Sequence, residues 1–280
     1  MNLYGLLSDL KDLDRLNLSV TTHDDLLLAI LEGVSREIDH ECNRRFYTES
    51  RTVYLDGANN VHDLRLSLPE DCLSVSSLTV DRERDGTFDG ETWTENSDFW
   101  LLPRDSFPKV ELMRHVSGDH LWPVWDQSIQ VTGIWGYGDG QSASPWSESG
   151  VTIEVSAADD GTGTVSAEGE IEVGQTIRLG DEQCYVTAAS SDGSNTITMV
   201  RGVNGTTASS HAAGTEVYTA KYPARVRQEC LRRSVIEYLR VGSEVFQSEG
   251  IGDYRYSRAA PDAEKRRNKI TLGAYRRPPL

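Results

Sequence analysis

The order of apolar and polar positions divides the chain into a helical opening, two stretches with strand periodicity and a helical return. Leu3, Leu6, Leu7, Leu10, Leu13 and Leu16 recur at helical spacing, with Asp9, Lys11, Asp12, Asp14 and Arg15 on the other face, which predicts a short amphipathic helix over 3–16. A second helix is predicted over 22–46. Thr21 or Thr22 is placed to cap it, Asp24 and Asp25 fall in its first turn where carboxylates meet the positive end of the helix dipole, and Leu26, Leu27, Ile30, Leu31, Val34, Ile38, Cys42 and Phe46 form one apolar stripe. After Phe46 the period drops to two. TVYLD (52–56), LRLSL (64–68), VSSLTVD (75–81), FWLL (99–102), KVELM (109–113) and SIQVTGIWGYG (128–138) predict a β-rich region over 51–140, divided by Gly, Asp, Asn and Pro.

A second strand set, VTIEV, QTIRL, QCYVTAA, TITMV and EVYT, runs from Val151 to Thr219. Five short strands with few large side chains predict a small barrel or sandwich over 146–220. Helical period returns at Pro223, a residue suited to a first helical position, and Val226, Cys230, Leu231, Val235, Tyr238 and Leu239 carry the stripe of a helix over 223–247. Residues 250–280 have no sustained stripe and read as an extended arm with one helical turn near 262–270. The expected fold class is α+β. N-terminal helices (1–50) and a C-terminal helix (221–249) form a small bundle beside a β-rich region (51–140), with an inserted β-domain (146–220) and an extended basic arm (250–280).

Composition changes this picture mainly through charge. The chain of 280 residues carries a net −16, yet its last sixty residues hold 14 Lys and Arg against 7 Asp and Glu, so they are +7 and the rest is −23. An acidic body with a basic end is expected to dock that end on something acidic, a partner or the next copy of the chain. Cys42, Cys72, Cys184 and Cys230 are scattered without a CxxC pair, which predicts reduced thiols in a cytoplasmic setting. The acidic, amphipathic N-terminus and the lack of a long apolar run predict a soluble, unexported chain without membrane contact.

Candidate chemistry adds little. GxSxG, HExxH and P-loop patterns are missing, and the six histidines never fall at ligand spacing; His115 and His120 read as a surface loop. Asp81 to Asp89 places acids as in a calcium loop, but Thr92 stands where the bidentate Glu belongs, so a hairpin tip is expected. No catalytic residue, metal or cofactor is expected. Of six tryptophans, Trp100 and Trp135 belong to strands, while Trp122 and Trp125 in DHLWPVWD suit an exposed loop that wedges into a neighbouring subunit or the tail. In VRGVNGTTASSHAAGTEV (200–217), Asn204-Gly205 supplies the positive φ of a tight turn. Arg201 and His211 are expected to tie that loop to Asp181 or Glu182, a structural role.

Three pieces in order, the leucine helix with THDDLLLAILEGVSREIDHECNRRFY, then SLPEDCLSVSSLTVD, then IQVTGIWGYG, resemble the head-to-tail connector (adaptor, head-completion) proteins of tailed bacteriophages. The likeness covers 1–140 and 221–280; about 80 residues between Gly138 and Pro223 interrupt it. The stretch from Gln175 to Val217 is itself similar to a β-module of phage structural proteins. The resemblance implies a non-enzymatic virion protein of the neck, assembled in the host cytoplasm. It further implies a homo-oligomeric, dodecameric ring that docks on the portal protein, meets a downstream tail or neck protein and lets genomic DNA pass without specific contacts. The portal-docking residues so implied are Tyr254, Arg255, Tyr256, Arg258, Arg266, Arg267, Lys269, Tyr275, Arg276 and Arg277. The alternative is a virion decoration or receptor-binding, carbohydrate-binding β-module.

Overall fold

Leu7 and Leu10 are the buried positions of a helix only five residues long, α1 (Leu7–Lys11). Its chain start is not helical: Leu6 is extended, and Leu3 and Tyr4 are buried by packing instead. The computed structural model describes residues 1–13, 21–88, 91–116, 120–241, 248–251, 254–257 and 271–278, with backbone alone for 248–251 and 254–257. The end of the helix predicted over 3–16 thus lies outside the described residues. Helix α2 (Asp24–Cys42) buries Leu27, Ile30, Leu31, Val34, Ile38 and Cys42 of its predicted stripe, while Leu26, a member of that predicted stripe, is exposed. No side chain caps it, so the threonine cap expected from sequence is not formed; the Asp24 amide donates instead to the Thr21 carbonyl. Asn43 in the left-handed region ends it, four residues before the stripe predicted, and frees Phe46 to turn into the core.

The chain then builds a seven-stranded antiparallel sheet. Strand β1 (Glu49–Leu55), a helical turn α3 (Gly57–Asn60) and β2 (Val61–His62) lead into β3 (Arg65–Val80). β4 (Glu91–Trp93), β5 (Phe99–Leu102), β6 (Lys109–Arg114) and β7 (Ile129–Trp135) follow. The order is β1-β7-β3-β6-β5, with β2 and β4 paired to β3. The two strands expected at 64–68 and 75–81 are one, bent where Pro69 cannot donate to the ladder: Ser67 faces Glu111 but Cys72 faces Lys109. The inner face buries Leu66, Leu78, Phe99, Leu112, Val131 and Trp135.

Six strands close the inserted barrel: β8 (Trp146–Val155), β9 (Thr162–Val165), β10 (Thr176–Leu179), β11 (Glu182–Ala189), β12 (Thr196–Val200) and β13 (His211–Ala220). The order is β10-β11-β12-β9-β8-β13, closed by β10 against β13. The sixth strand, β9, escapes pattern reading because TGTV buries only Gly163 and Val165. Helix α4 (Ala224–Val241) packs on α2, with the Cys230 and Ser35 side chains 3.6 Å apart. Two strands, β14 (Ser248–Ile251) and β15 (Tyr254–Ser257), pair as a hairpin. The fold is therefore α+β, with a small helical bundle, an open sheet and a closed β-barrel inserted between β7 and α4.

Candidate docking site

The bend at Pro69 has a chemical consequence. It carries Asp71 away from the ladder and under the C-terminus of α2, where its carboxylate is 1% exposed and lies 3.4 Å from the Arg44 guanidinium. Its carbonyl accepts the Gly136 amide at 2.8 Å, which holds Tyr137 beside Phe46 with ring centroids 5.4 Å apart. Glu41 and the Cys42 carbonyl complete a groove with an acidic floor and an aromatic wall. Burial pushes the Asp71 carboxyl up from its ordinary range, against the opposing pull of Arg44 and Arg277.

The groove is filled by this chain's own Thr271–Pro278. Leu272 is fully buried in the bundle core, and the Tyr275 ring meets Phe46 and Tyr137 edge-on, each at 5.9 Å. The Arg277 amide donates to the Cys42 carbonyl at 2.8 Å, one of the carbonyls that α2 leaves without a partner at its end. The Arg277 guanidinium reaches Asp71 at 3.1 Å and the Leu68 carbonyl at 2.6 Å. Arg276 pairs with Glu41 at 3.0 Å, and Glu41 in turn holds the buried Arg233, which also pairs with Glu229.

These contacts revise the extended arm. Tyr275, Arg276 and Arg277 lie on the body of their own chain and are already engaged. Tyr254, Arg255 and Tyr256 belong to β15, and Arg258, Arg266, Arg267 and Lys269 lie outside the described residues. The wedge loop is revised as well. Trp122 is 7% exposed, stacks on Trp93 and donates its indole N–H to the Leu64 carbonyl at 3.0 Å, so it is a core residue. Trp125 is half-buried, and the apolar groups that this loop shows to solvent are Leu121 and Val124. Trp125 separates two surface clefts, one of about 180 Å³ beside Leu121 and Val124 and one of about 460 Å³ beside Tyr54, Arg84 and Phe88.

The Asn204-Gly205 turn does more than punctuate the barrel. Both residues have positive φ, and a Cβ on Gly205 would lie 1.9 Å from the Ser50 carbonyl oxygen. This close approach lets the Ser50 amide donate to the Asn204 carbonyl at 2.8 Å, while the Asn204 side chain exchanges hydrogen bonds with Asn2 and donates to Gln183. Gln183 reaches Thr48, Thr176 reaches Asn2, and Ser8 donates to Glu172. The barrel is thus docked on the bundle through a buried polar seam.

Within the barrel Glu182, not Asp181, gathers the loop. It accepts from Arg201 twice at 2.7 Å, from His211 at 2.8 Å, and from the Gly202 and Ser209 amides at 3.0 Å each. Burial alone raises this carboxyl, but the donors from Arg201, His211 and Ser209 more than offset it and bring the pKa to about 2. The loop is a structural knot, as its sequence suggests.

Elsewhere, Asp81 accepts the Arg84 and Gly86 amides, as a hairpin tip requires. His120 is not a free surface residue: it is wedged between Glu91 and Asp98 and stacked on Trp93, and His115 packs on Trp100. Among the described residues no group of three His, Cys, Asp or Glu is placed to hold a metal ion, and no helix is long and apolar enough to cross a membrane. Sequence reading missed Asp71, Glu41 and Leu272. The available signal was Pro69 inside a strand pattern, which marks a bend. No protein-family model matches the chain, and neither a curated protein nor a solved structure is significantly similar to it.

Proposed function

We propose that the protein is a structural, non-enzymatic virion component of the head-to-tail connector type, a ring subunit that docks on the portal and passes DNA to the tail. The observation that carries this reading is where the barrel joins the rest. The first barrel residue, Trp146, pairs with the last, Ala220, and the Lys221 amide donates to the Pro145 carbonyl at 2.8 Å. The chain therefore leaves and re-enters the bundle-and-sheet unit at one point. The described residues of 1–140, together with 221–241 and 271–278, pack on one another within the part of the chain to which the connector resemblance is confined, and the barrel is an addition to them.

Two further features fit. The first 220 residues, barrel included, carry a net −23, and an acidic channel wall repels phosphate, so that DNA slides where close phosphate contacts would hold it. Of the six tryptophans, Trp93, Trp122 and Trp135 are buried and Trp100 and Trp146 pack against Arg104 and Arg178, which leaves only the half-buried Trp125 for the stacking platform a sugar-binding reading needs. The test is sedimentation of the chain with portal rings. The intact chain is expected to co-sediment with the rings. Failure of the intact chain to co-sediment overturns the proposal.

A further inference from the structure

The open sheet ends on two edge strands, β5 and β1, and they are left in different states. At β5 the Phe99 carbonyl accepts the Asn96 amide at 2.8 Å and Pro103 follows the strand directly, so little of that edge remains to pair. At β1 the Ser50 amide donates to the Asn204 carbonyl of the barrel at 2.8 Å. Backbone groups alternate in direction along a strand, so the N–H and C=O of Thr52 and Tyr54 point as those of Ser50 do, away from β7. No group of the described residues bonds them, and both residues are exposed. The register with β7 is unbroken from Glu49 to Leu55, and Thr52–Tyr54 has no proline, lysine or bulge of the kind that blunts an edge.

This open edge runs into the cleft of about 460 Å³. Tyr54 is a wall of the cleft, with the Phe88 ring 5.4 Å from its own and Trp125 beside them. Asp81 is buried and spends its two carboxylate oxygens on the Arg84 and Gly86 amides, which holds Arg84 in the left-handed region at φ 60°. Arg82 is paired with Glu91, whereas the Arg84 guanidinium, on the cleft, has no partner among the described residues.

We infer that β1 and this cleft form a peptide-docking site: an extended segment of a partner protein adds as a strand to Thr52–Tyr54, sets an aromatic side chain beside Tyr54 and places one carboxylate on Arg84. Main-chain pairing supplies the affinity and the cleft the selectivity. A residue opposite Tyr54 projects on the same face with its Cβ about 5 Å away, which brings its side chain to the aromatic wall. Asp126 also lines the cleft and disfavours a second acid, so the occupant carries a single carboxylate and not an acidic run. The site does not rest on the connector reading.

The test selects binders of the full chain from random, end-blocked heptapeptides and follows amide hydrogen exchange. The expected binders combine an aromatic residue with one Asp or Glu within two positions of it. At ten times its Kd such a peptide should slow exchange of the Thr52 and Tyr54 amides about tenfold. Arg84→Glu should weaken binding by about tenfold or more. Thr52→Pro, which removes an N–H that nothing in the fold accepts, should weaken it about fivefold. Arg84→Glu alters no backbone group and decides the matter alone if Thr52→Pro does not fold. A selection that yields no binder above the level of Arg84→Glu overturns the site. Binders that leave exchange at Thr52 and Tyr54 unchanged, or that are indifferent to Arg84→Glu, overturn it as well. If the two amides are already protected in the free chain, and more so at higher concentration, the edge pairs with a second copy and the partner-docking proposal falls.

Discussion

Replacing Glu182 by Gln keeps the shape of the side chain and removes its charge, leaving the guanidinium of Arg201, 7% exposed, without a counter-ion. Two routes give the same size of effect. Breaking one side of a buried, hydrogen-bonded ion pair costs about 3–5 kcal/mol. Independently, a carboxyl that moves from an ordinary 4.5 to about 2 on folding contributes about 3 kcal/mol at neutral pH. Because the folded pKa lies below the unfolded one, this contribution is present above pH 4.5 and is lost as pH falls from 4.5 to 2. Amide hydrogen exchange at pH 7 reads it locally, at Val186 and Met199, whose amides lie inside the barrel ladder. In Glu182→Gln these amides should exchange about a hundredfold faster, and the acid-dependent loss between pH 4.5 and 2 should shrink. A change under about fivefold would mean that Glu182 does not hold the barrel together, and the knot would be wrong.

Three other perturbations test separate parts of the fold. Ile38→Asp places an unpaired charge at a fully buried position of the bundle and should cost more than about 3 kcal/mol in denaturant unfolding; unchanged stability would break the α2–α4 assignment. Asp39 is raised by burial to about 6, although Arg36 and the Tyr4 hydroxyl at 2.5 Å favour its charge. Its folded pKa lies above the unfolded one, so wild type loses stability as pH rises through 6. Asp39→Asn should therefore be more stable than wild type by about 3 kcal/mol at pH 8 and equal to it below pH 4. Gly205→Ala forces a Cβ onto the Ser50 carbonyl at positive φ and should cost about 2 kcal/mol, read as faster exchange of the Ser50 amide; protection at the wild-type level would show that the seam does not need this glycine.

What the sequence made legible follows the range of the interactions involved. The stripe of α2, the strands β5, β6 and β7 and the Glu182 knot are local patterns, and each is found where periodicity or turn chemistry places it. The C-terminal segment was not legible as a docked element. Leu272, Tyr275, Arg276 and Arg277 have no period, and the partners of Arg277 and Arg276, Asp71 and Glu41, lie 206 and 235 positions away. Trp122 misled for a related reason: a Pro-containing loop reads as exposed, but Trp93 on β4 and the Leu64 carbonyl in the β2–β3 turn provide a buried seat. The polar seam under the barrel was equally hidden, because Asn204 reads fully as a turn residue and only the fold brings Asn2 and Ser50 against it.

Class averages of purified portal rings mixed with this chain test the central claim most directly. The connector account predicts a second ring of density stacked on the portal, coaxial with its channel and absent when the chain is left out. Portal rings that remain bare at saturating concentrations of the folded chain would contradict it.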